Sequence, residues 1–350
     1  MNKELMSALD DLEREKGVDK EILFQAIESA LISAYRRNFG SAQNVRVKIN
    51  RETGATEVYA QKTVVSDVHD HRLEVSVDEA RAVQPGAIEG DVVEFEITPK
   101  NFGRIAAQTA KQVIVQRIRE AERGMIYDEY AGREGDIVTG LVQRVERGLV
   151  FIDLGRTEAI LMPSEQVPGE VLRQGERVKL YVVEVKKTTK GPQVYLSRSH
   201  PGLIRRLFEL EVPEIHDGIV EIRGIAREAG ARTKIAVWSE DPNVDPVGAC
   251  VGSKGQRVQA IVNELRGEKL DIIAWDPDPA VFVAHALSPA HVTEVEIDQA
   301  ARQARAIVPD SQLSLGIGKE GQNARLAAKL TGWRVDLRSE SQVERGGLWS

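Results

Sequence analysis

Cysteine is nearly absent from this 350-residue chain: Cys250 is the only one, so no disulfide can close within it and no thiolate cluster can hold a metal. No window of 18 uncharged apolar residues occurs, so no segment is expected to span a membrane. The opening stretch MNKELMSALDDLEREK is charged every few residues and has no apolar centre, so a secretory signal peptide is not expected. Positive charge is not in excess either. The net charge is −7, and segments 1–125, 126–200 and 201–350 carry −3, 0 and −4, so no segment is basic overall. Bulk charge therefore gives no support to nucleic-acid binding, and any such reading rests on local motifs. Aromatics are only 5% of residues, which leaves few rings on which a base could stack. No low-complexity tail is present. What remains is enough apolar material, 42%, to build two to four cores in a soluble, cytoplasmic chain.

The pattern along the chain is mixed α+β. Val18 to Gly40 places Ile22, Leu23, Ala26, Ile27, Ala30, Leu31 and Ala34 on one stripe, with Asp19 as N-cap and Gly40 as stop, which predicts an amphipathic helix. Asn44 to Val65 alternates, turns at Thr53-Gly54 and alternates again, as a β-hairpin does. Another strand follows in GDVVEFEITP, then a long helical run from Arg104 to about Arg123. From Gly135 to Ser199 the grain changes to about five short strands between glycine turns, which predicts a small closed barrel. An OB fold and an SH3-like barrel both fit that count.

The last third contains a duplication. VGSKGQRVQAIVNEL begins at Val251 and IGKEGQNARLAAKLTGW at Ile317, with their glycine loops 66 residues apart. The tails LRGEKLDI and LTGWRVDL, 65 residues apart, match as well. Two adjacent copies of one α/β module of about 65 residues account for this. The bare Gly-x-x-Gly pair has little value. Composition alone produces about two in such a chain, and the third example, Gly132 to Gly135, precedes a strand and marks a junction. The weight lies in context: an aliphatic residue before, Gln after, then a helix and a strand, all of it twice.

A loop of this kind has a definite use. Glycine permits the sharp turn and lets backbone approach a ligand closely. The helix that follows has unpartnered N–H groups that favour an anion, such as a phosphodiester. In the KH fold a GXXG loop clamps about four nucleotides in this way. The expected RNA contacts in the first copy are Gly252, Ser253, Lys254, Gly255, Gln256 and Arg257. In the second they are Gly318, Lys319, Glu320, Gly321, Gln322, Asn323 and Arg325, with Lys254, Arg257, Lys319 and Arg325 supplying positive charge. Glu320 opposes that charge where a phosphate belongs. A Walker loop requires Gly-Lys-Ser/Thr, which neither copy has. Gly316, Gly318 and Gly321 mimic a dinucleotide fingerprint but lack the preceding strand and the acid that follows it.

RTKIAV, DPVGACVGSKGQRVQAI, EKLDIIAW and IGKEGQNARLAAKLTGWRVDL closely resemble the NusA family of bacterial transcription elongation, termination and antitermination factors, and the likeness covers nearly the whole chain. The resemblance implies an α+β multidomain protein. Residues 1–126 correspond to an RNA-polymerase-binding domain, and 133–199 to an OB-fold barrel of the ribosomal S-one type. Residues 201–276 and 277–345 correspond to tandem type II KH domains. It also implies a monomer without catalytic residues, cofactor or metal. The expected partners are RNA polymerase, nascent single-stranded RNA and other antitermination factors, with effects on pausing, intrinsic termination and antitermination. The barrel departs from the usual pattern. Phe151 is kept, but Met162 and Pro163 stand where an aromatic or His is common, so base stacking there is not expected. The acidic C-terminal repeats of some family members have no counterpart in this sequence, so autoinhibition through them is not expected.

Other candidates read as structure. His69 and His71 suggest no third metal ligand and fit a solvated turn. The carboxylates of Asp241 to Asp245 and Asp276 to Pro279 fit proline-rich loops, and Cys250 fits a small packed residue beside the loop. Two other functions remain open from sequence. Phosphorolytic exoribonucleases also carry KH and barrel modules, but residues 1–125 show no defensible catalytic cluster. The other is an RNA-maturation adaptor that does not bind polymerase.

Overall fold

The structure is a computed structural model and describes residues 2–40 and 44–346; Met1, where the expected N-terminal domain starts, lies outside them. The chain divides into two compact units, Met1–Ile126 and Tyr127–Ser350.

In the first unit, α1 (Asn2–Lys16) and α2 (Lys20–Phe39) precede a four-stranded sheet. The predicted ends of α2 are as expected. The Asp19 carboxylate accepts from the Glu21 amide at 2.7 Å, and Gly40 stops the helix in the left-handed region at φ 56°. The predicted stripe is rotated, however. Leu23, Phe24, Ile27, Leu31 and Tyr35 are buried, whereas Ile22 is 54% exposed. The reason is that two large aromatics, Phe24 and Tyr35, outweigh the small alanines in choosing the core face. β1 (Asn44–Ile49) and β2 (Thr56–Val65) form the hairpin, with Asn50 Oδ1 accepting from the Glu52 and Thr53 amides in the turn. β3 (Glu74–Ser76) and β4 (Val92–Glu96) both pair with β2, and α3 (Val77–Val83) lies between them in sequence. The long helix α4 spans Phe102–Ala131, and Phe102, Ala106 and Ala110 pack with α1, α2 and β1 in one core. His69 and His71 lie in the loop before β3, and no group of three or more metal-ligating side chains occurs among the described residues.

In the second unit, β5 (Ile137–Glu146), β6 (Leu149–Asp153), β7 (Glu158–Leu161), β8 (Arg177–Thr188) and β9 (Gly191–Ser197) close a barrel in the order β5-β6-β7-β9-β8. The one parallel pairing, β7 with β9, gives the Greek-key connectivity of an OB fold and removes the SH3-like alternative. Gly140 is needed for closure, because a Cβ there would stand 2.1 Å from Cγ2 of Ile152.

The duplicated modules then follow. The first holds α5 (Pro201–Glu211), α6 (Pro213–His216), β10 (Glu221–Glu228), β11 (Arg232–Trp238), α7 (Pro246–Val251), α8 (Gln256–Glu264) and β12 (Lys269–Ala274). The second holds α9 (Pro279–Ala286), β13 (Glu294–Asp298), β14 (Gln303–Val308), α10 (Leu313–Ile317), α11 (Gln322–Thr331), β15 (Arg334–Ser339) and α12 (Glu340–Gly346). Each sheet pairs its first two strands antiparallel and its last two parallel, β10-β11-β12 and β13-β14-β15. The acidic proline stretches prove to be caps: Asp245 and Asp278 accept from the amides of Val247 and Ala280 at the starts of α7 and α9.

Buried ion pairs join the barrel and the modules. Arg198, at the end of β9 and 1% exposed, is paired with Glu170 and Glu264 and donates to the carbonyls of Lys179 (2.8 Å) and Glu264 (3.0 Å). Arg227 and Glu268 form a two-point pair, both contacts 2.9 Å, to which Thr233 and the Gly230 amide also donate. Lys234, fully buried, bonds Asp271 at 2.9 Å and the Ser288 carbonyl at 2.7 Å, tying β11 to the segment after α9. Ala236, Ile273 and Phe282 pack with Leu330 of α11, so the second module covers the outer face of the first module's sheet.

Asp271 makes this junction testable. Burial alone would raise its carboxyl pKa, but donation from Arg232 and the nearby Lys234 ammonium outweigh it and hold it below the usual range. A carboxyl with a depressed folded-state pKa stabilises above its unfolded value and loses that contribution as pH falls through the folded value. Asp271→Asn strands the buried Lys234 cation and is expected to cost about 3 kcal/mol at pH 7 in denaturant unfolding. The gap from the native chain should close as pH falls below about 4. A gap of the same size at acid and neutral pH would contradict this.

Candidate nucleic-acid interface

The two glycine loops have the same backbone. Gly252 and Gly318, at φ/ψ of 72°/177° and 75°/171°, end the short helices α7 and α10. Lys254 and Glu320, the second variable residues, are both left-handed at φ 51° and 54°. Gly255 and Gly321, at 76°/14° and 73°/14°, lead into α8 and α11. Neither α8 nor α11 has a side-chain cap; the loop closes on its own backbone instead, with the Gln256 and Gln322 amides donating to the Ser253 and Lys319 carbonyls and the Gly255 and Gly321 amides to the Gly252 and Gly318 carbonyls, both at 3.1 Å. The helix before each loop was not read from sequence. The Asp245-Pro246 cap followed by an apolar run was the available signal for α7.

The first glycine is obligatory for two reasons. Its ψ near 180° at positive φ is a region that only glycine occupies comfortably. In addition, a Cβ at Gly252 would stand 2.7 Å from Cγ of Arg257, and one at Gly318 would stand 2.9 Å from the backbone nitrogen of Asn323. A Cβ at the second glycine would meet no clash: one at Gly321 faces open space and one at Gly255 would touch only Cγ1 of Val258, at 3.8 Å.

The side chains divide into two groups. Ser253, Lys254, Lys319 and Glu320 are exposed at the loop tips, and Gln256 is exposed at the start of α8. Among the described residues no ion partner of Lys254 or Lys319 is found. The other cations are already paired. Arg257 turns back to Glu214 of α6 at 2.8 Å and to the Ala249 carbonyl at 2.6 Å. Arg325 donates Nε to Glu228 at 2.7 Å and Nη1 to the Glu320 carbonyl at 3.0 Å, while Gln322 donates to the other Glu228 oxygen at 2.9 Å. These bonds hold the Glu228 carboxyl below its ordinary pKa. Asn323 requires a correction: it is 2% exposed and donates inward to the Leu287 and Gly316 carbonyls, both at 2.9 Å, so its side chain is not a surface RNA contact. Glu214 and Glu228 are the functional neighbours that sequence reading missed, since nothing local connects them to the loops.

Leu315 and Ile317 expose apolar surface beside the second loop. In the barrel, the Phe151 ring is already stacked with the Arg144 guanidinium, 3.7 Å from its centroid, and Arg144 is paired with Glu146 and Glu158. Met162 is exposed and Pro163 opens a single 3-10 turn. Cys250 is fully buried in α7, and its thiol is pushed up to about 12 by burial and by nearby Glu214, which suits a packed residue and not a nucleophile.

Four family models match the chain: the NusA N-terminal domain over residues 4–124, the S1 RNA binding domain over 132–197, the NusA-like first KH domain over 198–275 and the NusA-like second KH domain over 279–345. The transcription termination/antitermination protein NusA of Bacillus subtilis is 59% identical over 349 residues, covering 100% of this chain and 94% of that protein. Its counterpart in Halalkalibacterium halodurans is 60% identical, covering 99% and 91%. The solution structure of the B. subtilis NusA N-terminal domain is 63% identical and covers 35% of this chain and 99% of that one, with a TM-score of 0.33.

The two first glycines should respond differently to alanine. Both substitutions incur backbone strain of about 1–3 kcal/mol. Gly252→Ala meets a movable arginine stem, whereas Gly318→Ala meets backbone. Gly318→Ala is therefore expected to melt at a lower temperature than Gly252→Ala, and the reverse order would contradict the contact assignment.

Proposed function

The chain belongs to the NusA family of transcription termination/antitermination proteins, and from that footing we propose that it binds RNA polymerase through residues 1–126 and nascent single-stranded RNA through the two glycine loops. In this reading it modulates pausing, intrinsic termination and antitermination as a cytoplasmic monomer, together with other antitermination factors and without a cofactor. Residues 133–199, 201–276 and 277–345 serve as barrel, first KH module and second KH module. Among the described residues no helix is long and apolar enough to cross a membrane.

The observation that carries the reading is the doubled loop: φ and ψ match at both glycines and at the second variable residue, and the loop opens two helices without side-chain caps within one compact unit. The contacts proposed for RNA are the exposed side chains of Ser253, Lys254, Gln256, Lys319 and Glu320, together with the loop backbone that Gly252, Gly255, Gly318 and Gly321 leave bare for close approach. Arg257 acts from behind by holding its loop in shape. The barrel contributes without an open aromatic platform at Phe151.

Transcription by purified bacterial RNA polymerase over a hairpin-pause template tests the proposal. The full chain should lengthen the pause, and Lys254→Asp with Lys319→Asp should weaken the effect while the protein stays folded. An unchanged pause and no association with polymerase would overturn it. Binding of the isolated chain to single-stranded RNA gives a second check. Each charge reversal should weaken affinity about tenfold. Two open lysines at roughly 0.7 per neutralised phosphate predict a salt slope near −1.4, and a slope steeper than about −5 would show a basic groove outside the two loops.

A further inference from the structure

Glu228 stands in the first KH module, yet both of its carboxylate oxygens are spent on the second module's loop helix. Oε1 accepts from Arg325 Nε at 2.7 Å and Oε2 from Gln322 Nε2 at 2.9 Å. Gln322 and Arg325 lie three residues apart in the first turn of α11, on one face, immediately after the glycine loop. Two donors converging on two oxygens at an uncapped helix start is the arrangement a phosphate would receive.

We propose that Glu228 is an internal phosphate mimic: it occupies the cation of the second loop and thereby sets how strongly that loop holds RNA. The proposal rests on the reading of both loops as phosphate cradles. Three observations support it. First, Arg325 is the only cation of α11's first turn, and its pairing leaves the second loop with Lys319 opposed by Glu320, hence no net charge. Second, the first copy lacks this device. The equivalent positions are Gln256 and Gln259, and Gln259 bonds Asn263 along its own helix. Third, the Arg325 side chain is 47% exposed, so removing the charge of Glu228 frees the guanidinium for a phosphate without opening the core. The first module thus weakens the grip of the second. RNA engages the first loop electrostatically through Lys254, while in the second loop Glu228 keeps Arg325 from taking a phosphate. Glu228 is a positioning and affinity-setting residue, and need not touch RNA itself.

The test uses the full chain, its Glu228→Gln variant and the Glu228→Gln/Arg325→Gln double variant, with fluorescence anisotropy on a labelled single-stranded RNA of about 16 nucleotides. Glu228→Gln keeps the shape and removes the charge, so it should bind at least about threefold more tightly and steepen the salt slope by about 0.7, one additional phosphate. The double variant, neutral on both sides like the native pair, should return to within about twofold of the native affinity and to the native slope. The slope decides even if Glu228→Gln melts earlier, because loosened packing of α11 does not add a phosphate contact. RNA binding by the native chain with an unsteepened slope in Glu228→Gln overturns the proposal alone. No RNA binding by any of the three overturns the cradle reading, and the mimic with it.

Discussion

Arg198 is the constraint on which the second unit depends. It leaves the last barrel strand, is almost wholly buried, and grips the C-terminal end of α8 through both the carboxylate and the carbonyl of Glu264. Removing such a charge from water is costly unless every donor is met, and here Glu170, Glu264 and two carbonyls meet it. The consequence for the site is directional. The helix that opens with the first glycine loop is held at its far end by Arg198 and at its near end by Arg257 on Glu214 and the Ala249 carbonyl, which leaves the loop tip at Ser253 and Lys254 exposed. The second loop helix is held along its flank instead, by Leu330 against the first module's sheet and by Gln322 and Arg325 bonded to Glu228.

Holding the modules this way consumes the positive charge. Arg198, Arg227, Arg232 and Lys234 all face carboxylates inside the unit, and Arg257 and Arg325 face carboxylates at its surface. A chain with net charge −7 can bind an anionic strand only if it relies on backbone dipoles and a few open cations. Two lysines at the loop tips and two uncapped helix starts match that economy. Binding of this kind is less sensitive to salt than that of a basic groove.

Local signals made much of the fold legible. The Asp19 cap and Gly40 stop bound α2, the Thr53-Gly54 turn sets the hairpin, and the 66-residue repeat marks two modules whose sheets pair alike. What was not legible depends on distant partners. The face of α2 turned on where Phe24 and Tyr35 pack. Arg257 and Arg325 read as open cations because Glu214 and Glu228 lie 43 and 97 positions away. Asn323 read as a surface contact because the carbonyl it satisfies at Leu287 lies 36 positions away. Motif spacing places a loop on a helix start, but only the tertiary packing decides which of its side chains remain free.

The central claim is that one RNA strand engages both loops of the compact second unit. The most direct measurement is affinity against oligonucleotide length, from about four nucleotides, the span of one KH loop, to about 16. The account predicts a second steep gain once the strand is long enough to reach both loops, because the second contact then forms at high effective concentration. Affinity that levels off at the length of a single loop and does not rise again would contradict it.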